Sequence, residues 1–108
     1  MAQTLLAQLA QGEVKFSDVL VFIEARYTHT PTAFKNGQQA NAATENQGSA
    51  KVFSFAQLNG LNKEQTLSLF AEHYTSVLNT PEASDHQNIR QFMLNGWDGI
   101  QFDGTALT

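Results

Sequence analysis

A regular stripe of apolar residues in the segment LNKEQTLSLFAEHYTSVLNTP is the feature that most constrains the fold. Its members recur three or four residues apart, and they are Leu67, Phe70, Tyr74, Val77 and Leu78. That spacing is typical of a helix with one face against a core. Asn62 and Gln65 have capping-box spacing before the stripe, and Pro81 follows it. The sequence therefore predicts a helix over 63–79.

Two helices are predicted in the first quarter of the chain. A short apolar face predicts a helix over 4–13. In FSDVLVFIEARYT, Ser17 is a good N-cap, and Phe16 before it can pack on Val21 as a hydrophobic staple. This second pattern predicts a helix over 18–28.

The segment SAKVFSFAQLNGL fits two kinds of element. Phe53 and Phe55 alternate with a polar residue as in a strand, whereas Ser49 can cap a helix and the Asn59-Gly60 ending is typical of a helix terminus. The helical interpretation accounts for both ends of the segment. We therefore predict a helix over 49–59.

A polar stretch, SDHQNIR, opens the last helical pattern. Ser84 with Gln87, or Asp85 with Asn88, has the spacing of a capping box. We expect Ser84 or Asp85 to cap a helix over 86–95.

His86 and Arg90 are not explained by helix initiation. They lie four residues apart and so share a helical face. We expect both to face the polar 36–48 loop, either as a tether for that loop or as part of a ligand site. The candidate binding residues, all of them polar, are Asn36, Lys51, His86, Asn88 and Arg90.

The remaining patterns predict a small β element. PTAFKNG reads as an extended piece closed by an Asn-Gly turn, and GIQFDG alternates between glycines. We predict strands near 33–36 and 99–102 that pair with each other, a loop over 38–48, and a mostly buried Trp97. The fold class is mainly α: a compact single domain over 1–108, with about five helices and a minor short two-stranded β element.

Composition excludes several kinds of function. The net charge is −4 and the six cationic residues are scattered, so no basic patch for nucleic acid is evident. The chain has no cysteine, and no two histidines have the spacing of a helical zinc pair. We expect no metal and no cofactor. No apolar run approaches a membrane span, and the N-terminus lacks the basic region of a secretory signal.

Nucleophilic catalysis and anion binding have weaker signals. A Ser49, His86 and Asp85 triad is possible in principle, but no Gly-x-Ser-x-Gly elbow is present. Lys51 in GSAK stands at a predicted helix start that could hold an anion, although helix capping explains the same residues.

Three blocks of the sequence resemble the HopJ type III effector family. They are YTHTPTAFKNG, ENQGSAKVFSFAQLNGL and DHQNIRQFMLNGWDGIQFDG, in the family's order and spacing. The positions that match the family pattern are Asn36, Gly37, Asn46, Gly48, Ser49, Lys51, Phe53, His86, Asn88, Arg90, Phe92, Gly96 and Trp97. The resemblance supplies no catalytic role, because the family has no established biochemical activity.

Two hypotheses about function follow. The resemblance implies an effector-like bacterial protein that acts by binding and is secreted into a host cell. The alternative is a small cytoplasmic housekeeping enzyme or ligand-binding protein with a polar cleft near Asn36, Lys51, His86 and Arg90. In either case we expect a monomer, with an unknown protein or a small ligand as its partner and with no nucleic acid or membrane.

Overall fold

The computed structural model describes residues 2–108, which form six α-helices, one 3-10 turn and three short strands. The helices are α1 (Ala2–Ala10), α2 (Phe16–Glu24), α3 (Gln47–Leu58), α4 (Lys63–Ser68), α5 (Glu72–Asn79) and α6 (Gln87–Asn95). The 3-10 turn is Gly96–Gly99, and the strands are β1 (Phe34–Asn36), β2 (Gln39–Asn41) and β3 (Ile100–Phe102). The mainly α class with a minor β element is confirmed.

Helix α3 lies at the centre of the core, and Phe53 is the residue around which the other aromatic rings gather. Its ring centroid lies 5.5 Å from that of Phe70 and 5.0 Å from that of Phe92. The ring centroids of Phe34 and Trp97 lie 6.1 and 6.3 Å from the centroid of the same ring. The alternating Phe53 and Phe55 are both fully buried because α3 is covered on several sides, so its apolar residues do not form a single stripe.

The small sheet is antiparallel, with strand order β2-β1-β3. The predicted pairing of the two strands is confirmed, with Lys35 opposite Gln101. The Asn-Gly turn is also confirmed, since Gly37 has a φ of +59° between β1 and β2. Strand β2 was predicted to be loop, because its polar residues carry no alternating apolar pattern.

The predicted helix over 63–79 is interrupted. Ala71 has φ +51° and ψ −122°, a backbone conformation that L residues with a Cβ rarely adopt. The chain turns there, so α4 ends at Ser68 and α5 begins at Glu72. Leu67, Phe70 and Val77 of the apolar stripe are buried on the two sides of this break, which is why periodicity alone predicted one helix. The inclusion of Leu78 in the core-facing stripe was wrong, since this side chain is 52% exposed.

Three of the predicted helix starts were wrong in detail. The N-cap of helix α2 is Lys15, two residues before Ser17, and the Asp18 carboxylate accepts from the Lys15 N–H at 3.0 Å. Val21 is 65% exposed, so the predicted Phe16–Val21 staple is absent. Helix α3 begins after Asn46 and not at Ser49.

Helix α6 follows His86, so the prediction of Ser84 or Asp85 as its cap was wrong. By contrast, the capping box at the start of α4 is confirmed. Asn62 Oδ1 accepts from the Gln65 N–H at 2.8 Å, and Gln65 Oε1 accepts from the Asn62 N–H at 3.0 Å.

Trp97 is partly buried at the exit of α6. Its ring packs edge-on against Phe92, with centroids 5.0 Å apart, and its indole N–H donates to the carbonyl of Leu61 at 3.1 Å. The indole therefore joins the end of α6 to the segment between α3 and α4.

Candidate functional site

A cleft of about 320 Å³ opens between the first turns of α3 and α6, the start of α5 and strand β2. Its apolar side is formed by Phe16 and Phe70, whose rings stack with centroids 5.7 Å apart. The other lining residues are mostly polar, and they are Gln39, Asn46, Gly48, Ser49, His73, His86, Gln87, Asn88 and Ile89. We call this space the histidine cleft.

Two imidazole rings stand together in the histidine cleft. The ring centroids of His73 and His86 are 5.0 Å apart, with the planes tilted by 38°. The ring of His73 also packs edge-on against Phe16, at 4.9 Å between centroids. Among the side-chain hydrogen bonds of residues 2–108, none involves a ring nitrogen of either histidine. The Asp85 carboxylate approaches His86 Nε2 to 3.9 Å. Both imidazoles therefore remain available to a ligand.

Helices α3 and α6 both present their N-termini to this cleft. Their N-cap residues, Asn46 and His86, adopt the left-handed conformation with φ of 51° and 52°. Neither N-cap side chain accepts a hydrogen bond from the first turn. The backbone N–H groups of Gly48, Ser49 and Asn88 have no acceptor within the described residues. These groups give the cleft a positive local potential.

A network of four asparagines fixes the polar wall of the cleft. Asn88 and Asn41 exchange two amide hydrogen bonds, at 3.0 and 3.2 Å. Asn46 Nδ2 donates to Asn41 Oδ1 at 2.8 Å, and Asn36 Nδ2 donates to the Asn88 carbonyl at 2.7 Å. The network joins β1, β2, the start of α3 and the start of α6. Asn36 Oδ1 is buried without a hydrogen-bond partner in the described part of the chain.

The structure brings together some of the predicted site residues and separates others. Asn36, Asn88 and His86 lie in or beside the cleft wall. Lys51 bonds Glu24 of α2, with Nζ 2.8 Å from Oε2, and it does not line the cleft.

Arg90 also lies outside the cleft. Its guanidinium bonds the carbonyl of Thr80 at 2.9 Å, the carbonyl of Asp85 at 2.6 Å and the carboxylate of Asp85 at 2.7 Å. The expectation that Arg90 faces the 36–48 loop was wrong. It holds the 80–85 segment, while Gln91 from the same helix accepts from the Gln38 N–H at 3.1 Å. The Ser49–His86 pair of the triad hypothesis forms no hydrogen bond within residues 2–108.

Sequence reasoning missed several residues of the site. His73 was considered only as a metal ligand, and its proximity to His86 depends on how α5 packs against α6. Asn36, Asn41 and Asn46 are spaced five residues apart, a regularity that could have indicated a shared role.

Among the described residues, no group of three or more histidines, cysteines or acids could hold a metal ion.

Two carboxylates beside the cleft have shifted pKa values. The hydrogen bond from Arg90 lowers the pKa of Asp85. Burial alone would raise the pKa of Glu72, but hydrogen bonds from the Phe16 N–H and from its own N–H outweigh it, and the net shift is downward. Both carboxylates are therefore stabilised as anions by partners that the fold supplies.

A family model described as HopJ type III effector protein matches residues 2–107. The chain belongs to the HopJ family. This chain is similar to a protein of unknown function, VPA0580, whose crystal structure has been solved. The similarity has a TM-score of 0.90 and 49% sequence identity, and it covers 98% of this chain and 91% of that one. No curated protein matches the chain.

None of the helices in residues 2–108 has both the length and the apolar character needed to cross a bilayer.

Proposed function

We propose that this HopJ-family protein acts by binding a small polar molecule in the histidine cleft. The observation that carries the proposal is the pair of imidazoles, His73 and His86, 5.0 Å apart in a cleft where their ring nitrogens form no hydrogen bond with the described residues. Polar side chains that meet in a cleft without forming hydrogen bonds to one another are typical of a ligand site in an otherwise well-packed domain.

The size and lining of the cleft support this proposal. Its volume of about 320 Å³ is at the small end of the range for ligand pockets, roughly 300–1,000 Å³. One wall is aromatic, from Phe16 and Phe70, and the other offers amides, a hydroxyl and imidazoles. Such a lining suits a ligand with one apolar side and several hydrogen-bonding groups.

The asparagine network supports a preformed site. Because Asn41 of β2 binds both Asn88 and Asn46, the starts of α6 and α3 are held in position before any ligand arrives. Preorganised groups lose less conformational freedom on binding, which favours affinity. Two left-handed residues, Asn46 and His86, stand at the same cleft, and strained backbone is often concentrated at functional sites.

The proposal is tested by ligand screening with nuclear magnetic resonance. Mixtures of sugars, nucleosides, carboxylic acids and phosphate esters are added to the labelled protein, and amide shifts are followed. Binding in the cleft should move the resonances of Gly48, Ser49 and Asn88. Ser49→Tyr, which fills the cleft, should abolish these shifts, whereas the exposed Ser17→Tyr should not. Shifts that survive Ser49→Tyr would place binding elsewhere and contradict the proposal.

A second candidate function, secretion as an effector, is favoured by the description of the family. A fusion of the chain to a calmodulin-dependent adenylate cyclase can report its entry into host cells. Cyclic AMP should rise with a bacterium that has a working type III system and stay at background with a mutant lacking that system. Equal signals from the two strains would argue against this function.

A further inference from the structure

We propose that the ligand of the histidine cleft is an anion and that its binding is coupled to protonation of His73 and His86. The inference rests on the proposed function, since it concerns the same cleft, and it adds the charge of the ligand and the condition under which it binds. The starting point is that two imidazoles 5.0 Å apart repel each other when both are protonated. An anion held between them would remove that repulsion.

The cleft lining contains no permanently charged cation that could bind an anion. No lysine or arginine lines it, although Lys51 and Arg90 lie on the two helices that form it. Lys51 is engaged by Glu24, and Arg90 by Asp85 and by carbonyls of the 80–85 segment. The positive charge available to a ligand must therefore come from the imidazoles, because histidine is the side chain that gains a proton at mildly acidic pH.

The acidic groups near the imidazoles are already engaged. Asp85 approaches His86 Nε2 to 3.9 Å, but its other oxygen is 2.7 Å from Arg90 Nη2. Glu72 precedes His73, and its carboxylate accepts from the Phe16 N–H at 2.7 Å. Neither carboxylate lines the cleft. A cleft-bound anion thus has no carboxylate in contact with it.

The other elements packed around the pair bring no opposing charge into the cleft. Strand β2 contributes Gln39, and α3 contributes Asn46, Gly48 and Ser49, all of them uncharged. On the side of α2, the ring of Phe16 packs against His73. The neighbouring Lys15 does not line the cleft. The free N–H groups at the starts of α3 and α6 add donors of the sign that an anion needs. They reinforce the imidazole pair, which carries the inference.

Proton coupling follows from reciprocity. If protonated imidazoles bind an anion more tightly than neutral ones do, then the bound anion must raise the proton affinity of the imidazoles by the same factor. Anion affinity should therefore increase as the pH falls, and anion binding should take up protons. A site that used only backbone N–H groups would show neither effect.

Sulfate is the suitable probe, because its charge stays constant across the pH range in which imidazole titrates. Its affinity is measured from amide shifts at about pH 5.5 and about pH 8, with chloride keeping the ionic strength equal. We expect binding at least roughly tenfold tighter at the lower pH, with shifts centred on Gly48, Ser49 and Asn88. The ring C–H resonances of His73 and His86 should titrate at higher pH when sulfate is present.

Three variants locate the coupling. His73→Gln removes one imidazole, and His86→Asn removes the other while keeping a residue that tolerates the left-handed conformation. Each should lose most of the pH dependence. His29→Gln is the matched control, because His29 bonds Gln47 outside the cleft, and it should behave as wild type. Methyl phosphate and acetate, both largely monoanionic at the lower pH, then distinguish a phosphate ligand from a carboxylate.

Equal sulfate affinity at the two pH values, or full pH dependence in the His73→Gln/His86→Asn double variant, would overturn the inference. A neutral compound that shifts the cleft residues equally at both pH values would also overturn it, while leaving the proposed function intact. If neither sulfate nor any screened compound shifts those residues, both proposals fail.

Discussion

Asn88 Nδ2 lies 3.0 Å from Asn41 Oδ1, and Asn41 Nδ2 lies 3.2 Å from Asn88 Oδ1. This reciprocal amide pair joins the first turn of α6 to strand β2 in the protein interior. Both side chains are buried, so water does not compete for their hydrogen bonds. The geometry of the histidine cleft depends on this pair, since it holds two of the cleft walls at a fixed separation.

Replacing Asn88 with Ala should lower the free energy of unfolding by about 2–4 kcal/mol, because it removes the three buried hydrogen bonds that the Asn88 side-chain amide forms with Asn36 and Asn41. Urea denaturation followed by circular dichroism measures the change. The control is Asn79→Ala at the exposed end of α5, which should change stability by less than about 0.5 kcal/mol. Similar values for the two variants would show that the network contributes little to stability.

Replacing Ala71 with Gly should stabilise the protein by about 1 kcal/mol. The positive φ of Ala71 strains its Cβ, and glycine adopts the same conformation without that cost, although it also raises the entropy of the unfolded chain. Ala25→Gly is the matched control, because Ala25 has φ −74° at the end of α2 and should not gain stability. A lower melting temperature for Ala71→Gly would mean that the Ala71 methyl group contributes packing that outweighs the strain.

Replacing Arg90 with Ala should release the 80–85 segment. The guanidinium forms hydrogen bonds to Thr80 and Asp85, and their loss should cost about 1–3 kcal/mol and expose that segment to proteases. Limited proteolysis with mass spectrometry should show new cleavage within 80–86 and an unchanged pattern within 38–48. The exposed Lys35→Ala is the control. New cleavage confined to 38–48 would contradict this role of Arg90.

The ion pair between Asp85 and Arg90 should make stability depend on pH in the acid range. The pKa of Asp85 is lowered in the folded protein from its ordinary value of 3.8, so the ionised carboxylate favours folding. That contribution is complete above the unfolded pKa and is lost as the pH falls through the folded pKa. Wild type should therefore be more stable than Asp85→Asn at neutral pH, and the difference should shrink below about pH 4.

Urea denaturation at a series of pH values measures this difference. The same comparison in an Arg90→Ala background is the control, because the hydrogen bond from Arg90 is the largest cause of the shift. A difference of unchanged size at low pH, or one that persists without Arg90, would rule out the ion pair as its origin.

The elements predicted well are those whose evidence is local. The strand pairing of 33–36 with 99–102 followed from alternating residues and glycines at the boundaries, and the α4 capping box from the Asn62–Gln65 spacing. The misplaced helix starts have a shared cause. Asn46 and His86 begin their helices from a left-handed conformation, which Asn and His adopt more often than other residues but still only occasionally, so the more usual caps Ser49, Ser84 and Asp85 were preferred.

The candidate site was predictable only in part. Polar residues that recur in HopJ blocks indicated Asn36, Asn88 and His86, which do lie at the cleft wall. The same reasoning could not separate them from Lys51 and Arg90. A sequence does not show whether a charged side chain is paired within the protein, as these two are, or is available to a ligand. His73 was missed as a partner of His86 because the contact joins two different helices.

What the sequence by itself determined is the mainly α class, most of the core-facing residues and the family, because apolar periodicity and local capping act over a few neighbouring positions. The break at Ala71, the start of α6 at His86 and the approach of His73 to His86 were decided by tertiary structure. A left-handed residue costs free energy locally and persists only where the surrounding packing offsets that cost. The contacts that do so here join segments far apart in the chain, and no short stretch of sequence contains both partners.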